Sequence, residues 1–159
     1  MNVKFTSLAK SLLKFMIGFL LTIALVAILM KNVQLLISET DSLPQHYFLL
    51  YRHITPKLNN YSTVWSDWYG KRVIKKIVGV SGDRIWYDQH GQVLVNKQLI
   101  GIPCPIATDG SKLNPIKAQI IADGLVFLAG SHPRSFDSRY LEFGLVPINK
   151  LEGLVVAIL

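Results

Sequence analysis

The sequence predicts a mainly β domain carried behind one N-terminal transmembrane helix. Three observations predict it. An uncharged apolar run lies near the N-terminus, short runs rich in Val, Ile and aromatic residues follow between turn signals, and no convincing helical period appears beyond the first run. Half of the 159 residues are hydrophobic and only 17% are charged, which excludes a disordered polar chain.

The first element is Phe15–Met30, sixteen positions without a charge, extended upstream by Leu12 and Leu13 and downstream by Val33, Leu35, Leu36 and Ile37. A bilayer core needs roughly 20 helical residues, so the stretch from about Leu12 to Ile37 is long enough, with Lys14 and Lys31 snorkelling to the headgroups. Apolar residues occur all round this helix, which disfavours an interfacial one. The run exceeds a usual signal-peptide core and no small-x-small cleavage site precedes a plausible mature start, so a permanent anchor is expected rather than a cleaved signal. Lys4, Lys10 and Lys14 precede the span and only Lys31 follows it closely, which places the N-terminus in the cytoplasm. The expected organisation is therefore an anchor over 1–37 and an exported domain over 38–159. In a bacterium this is a single-pass protein of the inner (cell) membrane with its domain in the periplasm.

The net charge of +7 does not change this picture. Residues 1–31 hold four lysines and no acid, leaving thirteen basic against ten acidic residues for the rest, or +3. A general basic face for phosphate is not indicated, so the lipid bilayer and no nucleic acid is expected as a partner. The single cysteine, Cys104, excludes an internal disulfide framework and a thiolate-rich zinc site.

Within the outer domain the candidate strands are His46–His53, Arg72–Val80, Arg84–Tyr87, Gln92–Gln98, Leu125–Ala129 and Leu154–Leu159. Ser81-Gly82-Asp83 and His90-Gly91 read as tight turns, and Arg84 to Gln98 reads as a hairpin. A turn or two of helix is expected near Pro147–Leu151. Ile100–Ile120 carries three prolines and two glycines and reads as an excursion over the surface. Trp65, Trp68 and Tyr69 suit either a membrane interface or core packing.

Four histidines, His46, His53, His90 and His132, form no HxxxH or HExxH pattern. There is no G-x-S-x-G elbow and no glycine-rich phosphate loop, and no cofactor or metal is expected. Three short segments stand out together: Thr40-Asp41-Ser42-Leu43-Pro44, Lys75 through Arg84 (KKIVGVSGDR), and Gly130 through Tyr140 (GSHPRSFDSRY). Each alone has a bland explanation as a turn, a strand with one solvent-facing lysine, or a polar loop with an ion pair.

In this order the three segments resemble the boxes of the type I signal peptidase superfamily of serine–lysine peptidases. Those enzymes carry a membrane helix, a serine in an S-[ML]-x-P-like context, a K-[RK]-[IV]-[IV]-G-x-x-G-D strand and turn, and then G-[DN]-x-x-x-S-x-D-S-R. The first and third segments are similar to the TraF-type branch, which processes pilin precursors in conjugation systems. The chain departs from the pattern at Ser131-His132, at Ser81 where relatives often have proline, and in the longer Tyr140-Leu141-Glu142-Phe143-Gly144. A further strand expected between the first two segments is not evident in residues 53–71.

The resemblance implies a compact signal-peptidase-like β domain, with Ser42 as nucleophile and Lys75 as its base. A free lysine is neutral in only about one copy in 2,500 at pH 7, so the base must be depressed, to about 8 for roughly 3 kcal/mol of bias. Ile74, Ile77 and Val78 are the apolar neighbours in sequence. The resemblance further implies that Ser135 orients the lysine, that Asp137 pairs with Arg139 and Lys76 to brace the site, and that the Thr40 hydroxyl joins the Ser42 N–H in stabilising the oxyanion. It implies that an extended substrate, an exported precursor polypeptide, adds as a strand between the nucleophile and lysine strands. Other parts of a conjugation apparatus are further expected partners. The leading expectation is a membrane-anchored serine endopeptidase of conjugative pilin maturation. The alternatives are a general signal peptidase and an inactive bitopic scaffold of a secretion machine.

Overall fold

The computed structural model describes residues 2–39 and 42–158, the side chains of 2–9 excepted. The chain divides into a unit ending at Gln34 and a unit beginning at Leu35.

The first unit is a helix, α1, over Asn2–Asn32. Its portion from Lys10 to Asn32 is long and apolar enough to cross a membrane. It stops before the Ile37 limit that hydrophobicity alone suggests. Lys31 lies in its last turn and the weak helix former Asn32 ends it. The apolar residues that follow form strand β1, Val33–Ile37, instead of more helix.

The second unit is mainly β. After β1 come β2 (Tyr47–Tyr51), β3 (Tyr61–Ser66), β4 (Lys71–Gly79), β5 (Arg84–Tyr87), β6 (Val93–Val95), β7 (Gln98–Gly101), β8 (Gln119–Ile120), β9 (Leu125–Ala129), β10 (Val146–Pro147) and β11 (Leu154–Ala157). Seven strands form one sheet in the order β1-β2-β11-β3-β4-β9-β10, and four form another in the order β7-β6-β5-β8. Ile148–Lys150 is a single 3-10 turn, at the place where a short helix is expected.

The strands expected over His46–His53, Arg72–Val80, Arg84–Tyr87, Leu125–Ala129 and Leu154–Leu159 are present as β2, β4, β5, β9 and β11, and the differences lie elsewhere. Strand β3 lies within residues 53–71, where the strand that the resemblance implies is not evident from the sequence. Its sequence, YSTVWS, is rich in β formers, but Ser62 and Ser66 are buried on the same face as Val64, so it lacks the apolar–polar alternation that marks a half-exposed strand. Burial of the Ser62 hydroxyl is possible because its Oγ donates to the Gly153 carbonyl at 2.7 Å. The expected strand Gln92–Gln98 is two strands, β6 and β7, joined through Asn96, whose φ of 54° is a left-handed turn conformation that asparagine tolerates. The excursion over 100–120 is tied down, with Leu113 and Ile116 buried and Ile116 N–H donating to the Arg139 carbonyl at 2.9 Å.

The core separates along β4 and β9, which pair antiparallel with Lys76 opposite Ala129 and Ile77 opposite Leu128. Val78, Phe127 and Ala129 join Ile85, Val93, Val95, Ile116 and Ile121 in one cluster. Ile77, Val126 and Leu128 join Val64 and Val146 in another. The alternation of a strand thus feeds two cores from one pair of strands. The turn after β4 closes with Asp83 N–H donating to the Val80 carbonyl at 3.0 Å, and its Gly82 takes a φ of 86° that other residues rarely adopt.

Candidate active site

Lys75 lies in β4 between Val73 and Ile77 on one face of the strand, and it is 2% exposed. Burying an ammonium there is costly, so burial drives the amine down to about 8, with Arg139 adding to the lowering and Asp137 opposing it. Its Nζ donates to Ser135 Oγ at 2.6 Å. Those two groups are sixty positions apart in sequence and meet because the segment after β9 folds back over the lysine face.

That segment, Gly130–Tyr140, is held by a buried ion pair. Arg139 and Asp137 are 1% and 0% exposed, and the guanidinium grips the carboxylate twice, Nε to Oδ1 at 2.8 Å and Nη2 to Oδ2 at 2.9 Å. Burial opposes the charge on Arg139, but the hydrogen bond and charge of Asp137 outweigh it and hold the guanidinium above its usual value. Arg139 also donates to the carbonyls of Pro133 at 3.0 Å and Ser135 at 3.0 Å. Asp137 Oδ2 accepts from the Gly130 N–H at 2.9 Å. Every polar atom used here fixes the backbone that carries Ser135. Ser138 Oγ does the same for the end of the segment, donating to the Gly144 carbonyl at 2.6 Å and accepting from the Leu128 N–H at 3.0 Å.

Ser42 is half-buried, and its place is fixed by Leu43 and by its own carbonyl. Leu43, next in sequence, is 2% exposed and packs with Phe48, Leu50 and Val155. The Ser42 carbonyl accepts from the N–H groups of Ser131 at 2.7 Å and His132 at 3.4 Å. Gly130 sits at the junction: a methyl group there would collide with Ser135 Oγ and fall 2.9 Å from the Ser42 carbonyl oxygen. Glycine is required at this point by close approach rather than by backbone angle. Ser42 and Ser135 together line a cleft of about 260 Å3 with Tyr69, Thr108, His132, Arg134 and Phe136.

A second hollow, a groove of about 240 Å3, runs between Ile37, Ser38 and Glu39 on one side and Lys71 to Lys75 on the other. It exists because β9 pairs with β4 only from Lys76 onward, so among the described residues the same edge of β4 is uncovered from Lys71 to Lys75. The curl of the sheet brings the residues at the end of β1 opposite that edge, and Lys71 Nζ bridges the two walls with Glu39 Oε2 at 2.8 Å.

The structure therefore brings Lys75, Ser135, Asp137 and Arg139 into one buried cluster, with the Ser42 backbone against it. Two expectations fare differently. Lys76 does not pair with Asp137. Strand alternation turns it away from the Lys75 face, and the carboxylate is already filled by Arg139 and the Gly130 N–H. Thr40 lies outside the described residues. Sequence reasoning did not anticipate the aromatic cover of the site: Trp68 and Tyr69 pack on Phe136 with ring centroids 5.0 Å and 5.7 Å apart. The aromatic residues were visible in the sequence, but nothing in their spacing named Phe136 as their partner.

The signal peptidase family, peptidase S26, matches over residues 8–159. Among curated proteins, none matches the chain in sequence. Among solved structures, a signal peptidase I from Enterococcus faecalis is similar at 22% identity and a TM-score of 0.41, covering 62% of this chain and 95% of that one. The match over 8–159 spans both the apolar helix and the β domain, and on it the chain belongs to the signal peptidase family, peptidase S26.

Proposed function

We propose that the chain is a membrane-anchored serine endopeptidase in which Ser42 is the nucleophile and Lys75 its general base, and that it matures pilin precursors of a conjugation apparatus. The observation that carries the reading is the lysine amine: buried, bonded to Ser135 and lowered to about 8, it is available as a neutral base near physiological pH. Family membership supports exported precursors as the substrate class. The pilin assignment rests on the TraF-like pattern of Thr40–Pro44 and Gly130–Tyr140.

In this mechanism an extended substrate strand lies in the groove between residues 37–39 and 71–75 and takes up the free edge of β4. Lys75 Nζ accepts the Ser42 hydroxyl proton as Ser42 Oγ bonds to the scissile carbonyl carbon. The oxyanion is met by the Ser42 N–H and the Thr40 hydroxyl. The C–N bond then breaks, with the Lys75 ammonium giving its proton to the leaving amine. Water or a peptide amine attacks the resulting ester, losing its proton to Lys75, which passes it to Ser42 Oγ as the acyl C–O bond breaks and the serine is restored. Ser135, Asp137 and Arg139 act by holding the lysine in place, which matters because small displacements of a base are costly in rate. Residues 1–37 anchor the enzyme with its N-terminus in the cytoplasm, leaving the domain on the side where exported precursors emerge.

Co-expression with candidate pilin precursors, read by intact mass, tests this. Ser42→Ala and Lys75→Ala are each expected to abolish processing in a folded, membrane-bound chain, a loss of about 10⁴-fold or more. Full processing by either variant would refute the assignment. Complementation of a cell lacking its general signal peptidase would point instead to a housekeeping role.

A further inference from the structure

Lys76, next to the proposed base in the second sequence segment, has no part in the mechanism. It is half-buried, and among the described residues its amine has no hydrogen-bond or carboxylate partner. It lines a cleft of about 260 Å3 with Val78 on β4, Ala129, Gly130 and Ser131 at the end of β9, and Gln98, Leu99 and Ile100 of strand β7. A lysine held in a cleft with no counter-charge among the described residues is an anion site by composition: an ammonium with three donors, flanked by Ser131 and Gln98.

Its location says which anion. This step rests on the proposed function. A strand in the groove occupies the edge of β4 only as far as Lys75, because from Lys76 onward that edge belongs to β9. The polypeptide must therefore leave the plane of the sheet at Gly130. Gly130 and Ser131 are shared walls: Ser131 N–H holds the Ser42 carbonyl, Gly130 abuts Ser135, and both residues border the Lys76 cleft. We propose that this cleft receives an acidic side chain of the substrate within the first few residues beyond the scissile bond, paired with Lys76. It would make the enzyme selective for precursors with Asp or Glu on the leaving side, a preference independent of the residues in the groove.

Binding is measured on the full-length chain in detergent micelles with Ser42→Ala, so that nothing is turned over. The probes are two fluorescent peptides sharing an alanine-rich extended half and differing only in a five-residue tail that carries either two Glu or two Lys. The Glu tail is expected to bind about tenfold tighter. Adding Lys76→Met should erase the preference, and Lys76→Glu should invert it. Carbodiimide coupling of the Glu-tailed peptide, mapped by mass spectrometry, should attach at Lys76. Equal binding of both tails, no binding of either, or a preference that survives Lys76→Glu overturns the proposal. So does a preference that disappears with Arg134→Glu instead, since that would send the leaving segment through the Ser42 cleft. A chain that shows the preference yet processes no precursor with Ser42 intact leaves this cleft standing and removes the peptidase reading. A chain that processes precursors without the preference does the reverse.

Discussion

The two faces of β4 carry neighbouring lysines in opposite circumstances. Lys75 is sealed among Val73, Ile77 and the Gly130–Tyr140 segment, is bonded to Ser135, and has its amine lowered to about 8 by burial. Lys76, one residue on, borders an open cleft and has no partner among the described residues. A one-residue step in a strand reverses the face, so identical side chains receive different dielectric surroundings and different chemistry. What distinguishes the base-like lysine is therefore the segment folded over it. The Lys75 face is built by an ion pair and a serine from a distant stretch of chain.

The largest expected way to break the difference is to remove the brace. Asp137→Ala leaves a buried guanidinium without its counter-charge and should cost about 3–5 kcal/mol of stability, read by chemical denaturation of the chain in micelles. A loss under 1 kcal/mol would mean that the pair does not organise this face. Next comes Lys75 itself. Its amine titrates near 8 when folded and near 10.5 when unfolded, so the folded state bears the cost of a buried charge in full below pH 8. That cost amounts to about 3 kcal/mol and fades as pH rises toward 10.5, where the amine is neutral in both states. Lys75→Met should thus be about 2 kcal/mol more stable than the parent at pH 6, after about 1 kcal/mol for the lost bond to Ser135, with the advantage gone by pH 10.5. A constant difference across that range would contradict the burial argument.

Activity should follow the same group with the sign that a base requires. The neutral fraction of an amine titrating near 8 falls tenfold per pH unit below that value, so kcat/KM should rise about tenfold per unit up to about pH 8 and then level off. A flat profile between pH 6 and 8 would exclude Lys75 as the base. The smallest effect is expected on the other face: Lys76→Ala should leave thermal stability within about 0.5 kcal/mol, because it breaks no hydrogen bond or ion pair among the described residues.

Much of this architecture was legible in one dimension because it depends on local composition. The apolar run is a helix, and β9 occupies the Leu125–Ala129 stretch that its aliphatic residues mark. The hairpin of β5 and β6 follows its turn residues. Where the reading failed, the deciding quantity was not local. Residues 33–37 are as apolar as the helix before them, but they form an edge strand of a seven-stranded sheet. Residues 61–66 show no apolar–polar alternation because serines, Ser62 and Ser66, are buried on the same face as Val64. Lys76 was assigned to Asp137 by analogy of pattern, and only the filled valence of the carboxylate and the direction of the strand exclude it.

By itself the sequence determined the elements and the inventory of reactive groups: an apolar helix, a set of strands, and a serine, two lysines, an aspartate and an arginine in three segments. Hydrophobicity, β propensity and turn chemistry act over a few residues, so a linear reading captures them. Which lysine loses its water was decided by the tertiary structure alone. Burial is a property of everything packed around a group, and here that surrounding comes from residues sixty positions away. The open edge of β4 and the cleft beside Gly130 have the same origin, since an uncovered strand edge is defined by where a distant partner strand begins to pair.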